Sequence, residues 1–187
     1  MKKLLKTVGV LSFVLIIGLS SMSFADDYGA TGSQSQTSYT IEEMLNYGLE
    51  DEYLAKAEYE LIIDHFDVSR PFTNILRAEE NHIVALERLY ETYGIELPTV
   101  HPEEHTLLPA SVEAAFETGV TAEIVNIEMY ESFLEQDLPE DIRYTFEALK
   151  NASENHLEAF ERNVAPKTNA FPSNRRNTGQ RGFNKSF

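Results

Sequence analysis

The sequence predicts an all-α chain in which four helices pack side by side. Three observations carry this expectation. Apolar residues recur at steps of three and four along most of the chain, capping residues bracket each periodic run, and no window alternates as a strand would.

Thr40 with Glu43 forms a capping box that opens the first helix, which can run to about His65. Ser69 is placed to cap the second, with Pro71 in its first turn and Gly94 at its end. A long connection follows, carrying Pro98, Pro102 and Pro109. Ser111 starts a short helix to about Thr118, and Gly119 and Thr121 lead into the third main helix, which reaches about Gln136. Asp137 with Glu140 frames the start of the fourth, with Pro139 in its first turn, and the helix ends before Pro166.

The termini differ from this body. Lys2, Lys3 and Lys6 precede an apolar run from Val8 to Leu19, followed by Ser23-Phe24-Ala25, the small-x-small pattern of a secretory cleavage site. The run is short for a membrane span. Residues 1–25 are therefore expected to be a signal peptide, and its removal leaves an exported, periplasmic or extracellular chain that does not span a membrane. Residues 26–39, rich in Gly, Ser, Gln and Thr, read as a flexible leader. Residues 40–164 hold the helices, and 165–187 read as a disordered basic tail.

Composition excludes several functions. The chain has no Cys, so it holds no disulfide, no lipoprotein attachment point and no thiolate site for zinc or an iron–sulfur cluster. Between Ile41 and Ala165 there are 29 acidic and 7 basic residues, a balance of −22 that repels nucleic acid and attracts cations. No strand-turn-helix nucleophile elbow or glycine-rich phosphate loop is present. A paired-carboxylate hydrolase fits poorly with an all-helical chain that places His among its acids.

The inward stripes carry the chemistry. The first helix presents Leu45, Leu49, Glu52, Tyr59 and Ile63, and the second Phe72, Ile75, Glu79, His82, Leu86, Leu89 and Tyr93. The third presents Ile124, Ile127, Glu128, Glu131 and Leu134, and the fourth Ile142, Phe146, Leu149, Ser153, His156 and Phe160. Each apolar stripe is interrupted by polar residues near mid-helix. Side-by-side packing therefore brings Glu52, Glu79, His82, Glu128, Glu131 and His156 to about one level.

A buried carboxylate costs several kcal/mol unless paired, and several in one pocket repel one another. Lys56, Arg77, Arg143 and Lys150 do not fall on the same stripes, whereas divalent cations would offset the charge. Oxygen and imidazole donors without thiolate suit iron, manganese or zinc, and Glu-x-x-His sets both side chains on one helix face. Glu80 and Glu154, one residue off the stripe, read as solvated surface. The stretch HPEEH, His101 to His105, reads either as a surface metal site or as a solvated acidic loop.

Four motifs in order resemble the ferritin-like dinuclear iron proteins across residues 40–164. EDEYLAKAEY, with Glu52, Ala55 and Tyr59, looks like their first helix, and EENH at Glu79 to His82 is similar to their second-helix Glu-x-x-His. IEMYE, with Glu128 and Glu131, resembles the third helix of rubrerythrin, and SENH falls where the fourth-helix Glu-x-x-His would stand. Within that superfamily the chain resembles the branch called domain of unknown function 2202, whose fourth helix tends to read Ser-x-x-His-Leu.

The resemblance implies an antiparallel ferritin-like four-helix bundle with a long crossover connection between the second and third helices. It implies iron, with manganese or zinc as alternatives, bound by the six acids and imidazoles above, and ferroxidase or peroxidase-type oxidation with Tyr59 as the nearest catalytic candidate. Rubrerythrin's rubredoxin module needs Cys, so turnover here would draw on an external electron donor. Where the family pattern has a fourth-helix Glu bridging two metals, this chain has Ser153. Metal buffering without turnover and a metal-free interaction domain are the competing readings, and a homo-oligomer is compatible with each.

Overall fold

The computed structural model describes residues 28–164, so the expected signal peptide at 1–25 and the basic tail at 165–187 lie outside the described residues. The described residues are helical, without strands: α1 Gly29–Ser33, α2 Ile41–Phe66, α3 Phe72–Tyr93, α4 Val112–Leu134 and α5 Glu140–Val164.

Local signals account for most boundaries. The Thr40 hydroxyl accepts from the Glu43 N–H while the Glu43 carboxylate accepts from the Thr40 N–H, which closes the capping box at the start of α2. Helix α3 begins after Pro71 without a side-chain cap, so Ser69 contributes its carbonyl rather than its hydroxyl. Gly94 ends it at φ 62°, where a side chain would be strained. Ser111 caps α4 by accepting from the Ala114 N–H.

Two expectations are corrected. The short helix to Thr118 and the third main helix are one continuous α4, because Gly119 does not break it: Gly119 is buried, and a Cβ there would meet the Phe160 ring at 2.8 Å. The glycine lets α4 approach α5. The expected flexible leader, within its described part from Tyr28, carries α1, which packs on α2 and α4 with Ala30 and Ser33 buried. Its Gly29 and Ala30 N–H groups donate to Glu50 and Asp51, and this anchoring overrides a composition that otherwise favours a linker.

The long helices pack α2 on α3, α4 on α5, α2 on α4 and α3 on α5. Two apolar clusters result. One joins Leu45 and Leu49 of α2, Leu86 and Tyr90 of α3, Tyr130 and Phe133 of α4, and Ile142 and Phe146 of α5. The other joins Tyr59 and Ile62, Phe72 and Ile75, Ala115, and Phe160. Between them in sequence on every long helix lie the buried polar residues Glu52, Glu79, Glu123, Asn126, Ser153 and His156. No helix among the described residues is long and apolar enough to cross a membrane.

Candidate metal centre

Each long helix delivers its polar residues where the apolar stripe is interrupted. Glu79 and His82, three apart on α3, face the same way, as do Ser153 and His156 on α5. Glu52 comes from α2 and Glu123 from α4. Their ligand atoms form two groups, Glu52/Glu79/His82 and Glu79/Glu123/His156, with the atoms of each group within 4.8 Å of one another. Glu79 belongs to both.

Of the residues expected at the centre, Glu52, Glu79, His82 and His156 are brought together. Glu128 and Glu131 are not. Both are exposed, Glu128 accepting from Gln34 Nε2 at 3.1 Å and Glu131 lying 3.7 Å from Lys150 Nζ. The inward face of α4 is instead Ala115, Gly119, Glu123, Asn126, Tyr130 and Phe133, and Ile124, expected inside, is 42% exposed. Apolar residues surround α4 on most sides, so its stripe has no single phase in the sequence. Reading Val112 to Leu134 as one helix and following Gly119 in steps of four and three reaches Glu123, Asn126 and Tyr130, which is the signal that was available. Glu80 and Glu154 are exposed, as expected. In HPEEH, Pro102–Glu104 form a 3₁₀ turn, exposed His101 pairs with Glu103 at 3.1 Å, and the His105 ring stacks on Tyr28.

The contacts of the two groups differ. His82 Nδ1 lies 2.7 Å from Glu79 Oε2 and 3.1 Å from Glu52 Oε2, both as hydrogen bonds. His156 Nδ1 lies 3.2 Å from Glu79 Oε1 and 3.5 Å from Glu123 Oε1. These separations permit Coulomb attraction, yet neither meets hydrogen-bond alignment, so this nitrogen is buried without a hydrogen-bond partner. Tyr130 donates to Glu52 Oε1 at 2.8 Å, and Tyr59 donates to Glu123 Oε1 at 3.1 Å. Tyr59 also packs between Phe72 and Phe160. Tyr59 thus both donates a hydrogen bond and packs in the apolar cluster.

Burial pushes the Glu52 carboxyl up to about 8, assisted by the neighbouring Glu79 charge. Burial would raise Glu79 as well, but His156 and His82 outweigh it and hold that carboxylate down at about 2. Burial disfavours a charged imidazole, yet Glu52 and Glu79 carry His82 up to about 10, and Glu123 and Glu79 carry His156 up to about 9. Glu123 is raised, chiefly by burial. Without an ion, protons on the imidazoles thus hold the acids together. A divalent cation can take their place, freeing neutral nitrogen donors beside ionised carboxylates.

The residues present fit such a cation. Three carboxylates and two imidazoles, with no thiolate, form the donor set of a hard to borderline divalent ion. The His156 Nδ1, buried without an aligned hydrogen bond, could turn a lone pair toward such an ion once deprotonated. Glu52, Glu79, Glu123, Asp51, Asn126 and Ser153 also line a cavity of ≈ 20 Å³, room for something of about the size of one water.

Comparison with known proteins agrees with the helical architecture. At 29% identity over 128 residues the chain is similar to the uncharacterized protein MJ0754 of Methanocaldococcus jannaschii, covering 60% of this chain and 69% of that one. The crystal structure of hypothetical protein MJ0754 from Methanococcus jannaschii matches with a TM-score of 0.60 at 25% sequence identity, over 69% of this chain and 83% of that chain. Residues 41–176, which contain every residue of both ligand groups, match the family described as Uncharacterized protein domain (DUF2202), and the chain belongs to that family.

Proposed function

We propose that this chain is an exported ferritin-like protein that binds a pair of divalent metal ions, iron first and manganese or zinc as alternatives, and oxidises the ferrous metal with dioxygen or peroxide as the electron acceptor at that site. The observation that carries the reading is the sharing of Glu79: one carboxylate offers an oxygen to each of two ligand groups. With two ions bound, Glu79 would offer an oxygen to each, a role that the family pattern gives to the residue at Ser153. The ferritin-like, antiparallel arrangement belongs to the same proposal. It is supported by an apolar cluster that joins the beginnings of α2 and α5 to the ends of α3 and α4, with residues 94–111 as the crossover.

Iron, when bound, would supply one-electron chemistry toward dioxygen or peroxide. The chain's own residues do the rest. Glu52 and Glu123 are the terminal carboxylates, each oriented by a tyrosine hydroxyl, and His82 and His156 supply nitrogen once deprotonated. Apolar clusters on both sides of the polar layer keep bulk water away, so charges there interact more strongly than at a surface.

The absence of Cys favours a second reading, metal buffering without turnover, because repeated reduction must draw on an external donor. Metal analysis of protein purified without a His tag, followed by anaerobic ferrous loading and exposure to oxygen, tests both. Oxygen uptake with a new absorbance band supports oxidation, and binding without uptake supports buffering. Unchanged metal content in a Glu79→Ala, His82→Ala double variant would place the site elsewhere.

A further inference from the structure

Asp51, Asn126 and Ser153 line the same cavity as Glu52, Glu79 and Glu123 but are not among the converging ligands. They form a directed chain. Ala30 N–H donates to Asp51 Oδ1 at 2.9 Å, and Asn126 Nδ2 donates to Asp51 Oδ2 at 2.6 Å. Ser153 Oγ donates to Asn126 Oδ1 at 2.6 Å. An ionised carboxylate only accepts, so Asp51 draws the amide NH₂ of Asn126 toward itself and turns the amide oxygen toward Ser153. A serine hydroxyl has one proton, and that short contact claims it; Leu149 O, at 3.2 Å, is the longer alternative. The Oγ lone pairs are then left for the cavity.

Asp51 is a fourth buried acid on that cavity. It is not one of the converging ligands, because both its oxygens are already held by N–H donors.

We propose that Asp51, acting through Asn126, turns Ser153 Oγ into the cavity as a neutral oxygen ligand for the ion held by Glu79, Glu123 and His156. Ser153 lies three residues before His156 on α5, so both reach the same ion. This rests on the metal-pair reading above. Ser153 is the ligand, and Asp51 and Asn126 are positioning residues.

The test is titration of the metal-free full chain with Co²⁺ alone, followed by calorimetry and visible absorption. Wild type is expected to bind in two steps. Ser153→Ala and Asp51→Asn should each weaken the second step by ~10–100-fold and alter the absorption of the second equivalent, leaving the first step in place. In a Ser153→Asp background, which puts a carboxylate at the ligand position, Asp51→Asn should change the second step by less than ~3-fold, a coupling that a merely structural role would not produce. Wild-type binding of both ions in Ser153→Ala and Asp51→Asn overturns this inference and leaves the metal pair standing. Equal weakening of both steps with a lowered melting temperature in folded Asp51→Asn also overturns it. If Asp51→Asn does not fold, Ser153→Ala, which removes one hydroxyl, decides. Absence of cobalt binding by wild type removes the metal reading and this inference together.

Discussion

The two halves of the polar layer use the same residue types but are satisfied differently. On α2 and α3, His82 is hydrogen-bonded to two carboxylates of those same helices, while Glu52 also accepts from Tyr130 of α4. On α4 and α5, His156 stands near two carboxylates without an aligned bond, and Ser153 occupies the position three residues before it that Glu79 occupies before His82. Glu-x-x-His supplies an imidazole with its own counter-charge, whereas Ser-x-x-His borrows one from neighbouring helices. The buried imidazole nitrogen without an aligned hydrogen bond therefore lies on α5.

The largest effect is expected from removing Glu79, the residue both halves share. Glu79→Gln should reduce bound metal from about two ions per chain to near zero by elemental analysis, because both groups lose a charged ligand at once. Separating the halves comes next. Glu123→Gln with His156→Ala should leave one ion, and Glu52→Gln with His82→Ala should also leave one. Loss of both ions in either pair would show that the halves are not independent.

The pH dependence of the metal-free protein sharpens the contrast. His82 and His156 are raised from 6.5 to about 10 and about 9, and Glu52 is raised from 4.5 to about 8, so the folded chain holds more protons than the unfolded one across this range. Stability from the imidazolium pairs is complete below about 6.5 and is lost as pH rises through 9 to 10, while Glu52 adds a loss between 4.5 and 8. Glu79, held down at about 2, acts oppositely: its contribution is lost as pH falls from 4.5 toward 2. With a chelator present, the melting temperature should fall from pH 6.5 to 10. Metal-loaded protein should resist that fall, since the ion binds better once the imidazoles lose their protons.

Smaller effects follow from the tyrosines. Tyr130→Phe and Tyr59→Phe each leave a buried carboxylate short of one donor, at a cost of about 1–3 kcal/mol in denaturant unfolding. The smallest effect belongs to the exposed acids. Glu128→Gln with Glu131→Gln should alter stability by no more than about 0.5 kcal/mol per substitution and leave metal content unchanged. A lost ion in that variant would return these residues to the site.

How far the site was legible varies from helix to helix. Glu52, Glu79, His82 and His156 could be read because α2, α3 and α5 each carry a stripe whose polar interruption stands out against a charged outer face. Glu123 was harder to read, because α4 is apolar around much of its circumference and only the run through Gly119 singles out one rotation. The leader misled for a related reason: Gly and Ser content describes a chain without partners, and α1 finds its partners in Glu50 and Asp51, over twenty residues away.

Capping bonds and the three-residue spacing act within one or two turns, so α2, α3 and α5, most helix ends and the pairing of Glu79 with His82 follow from the sequence alone. Only the tertiary structure decided the rotation of α4, the sharing of Glu79 and the chain from Asp51 to Ser153. Those depend on contacts between residues far apart in sequence, above all the close approach of Gly119 to Phe160, which local periodicity does not encode.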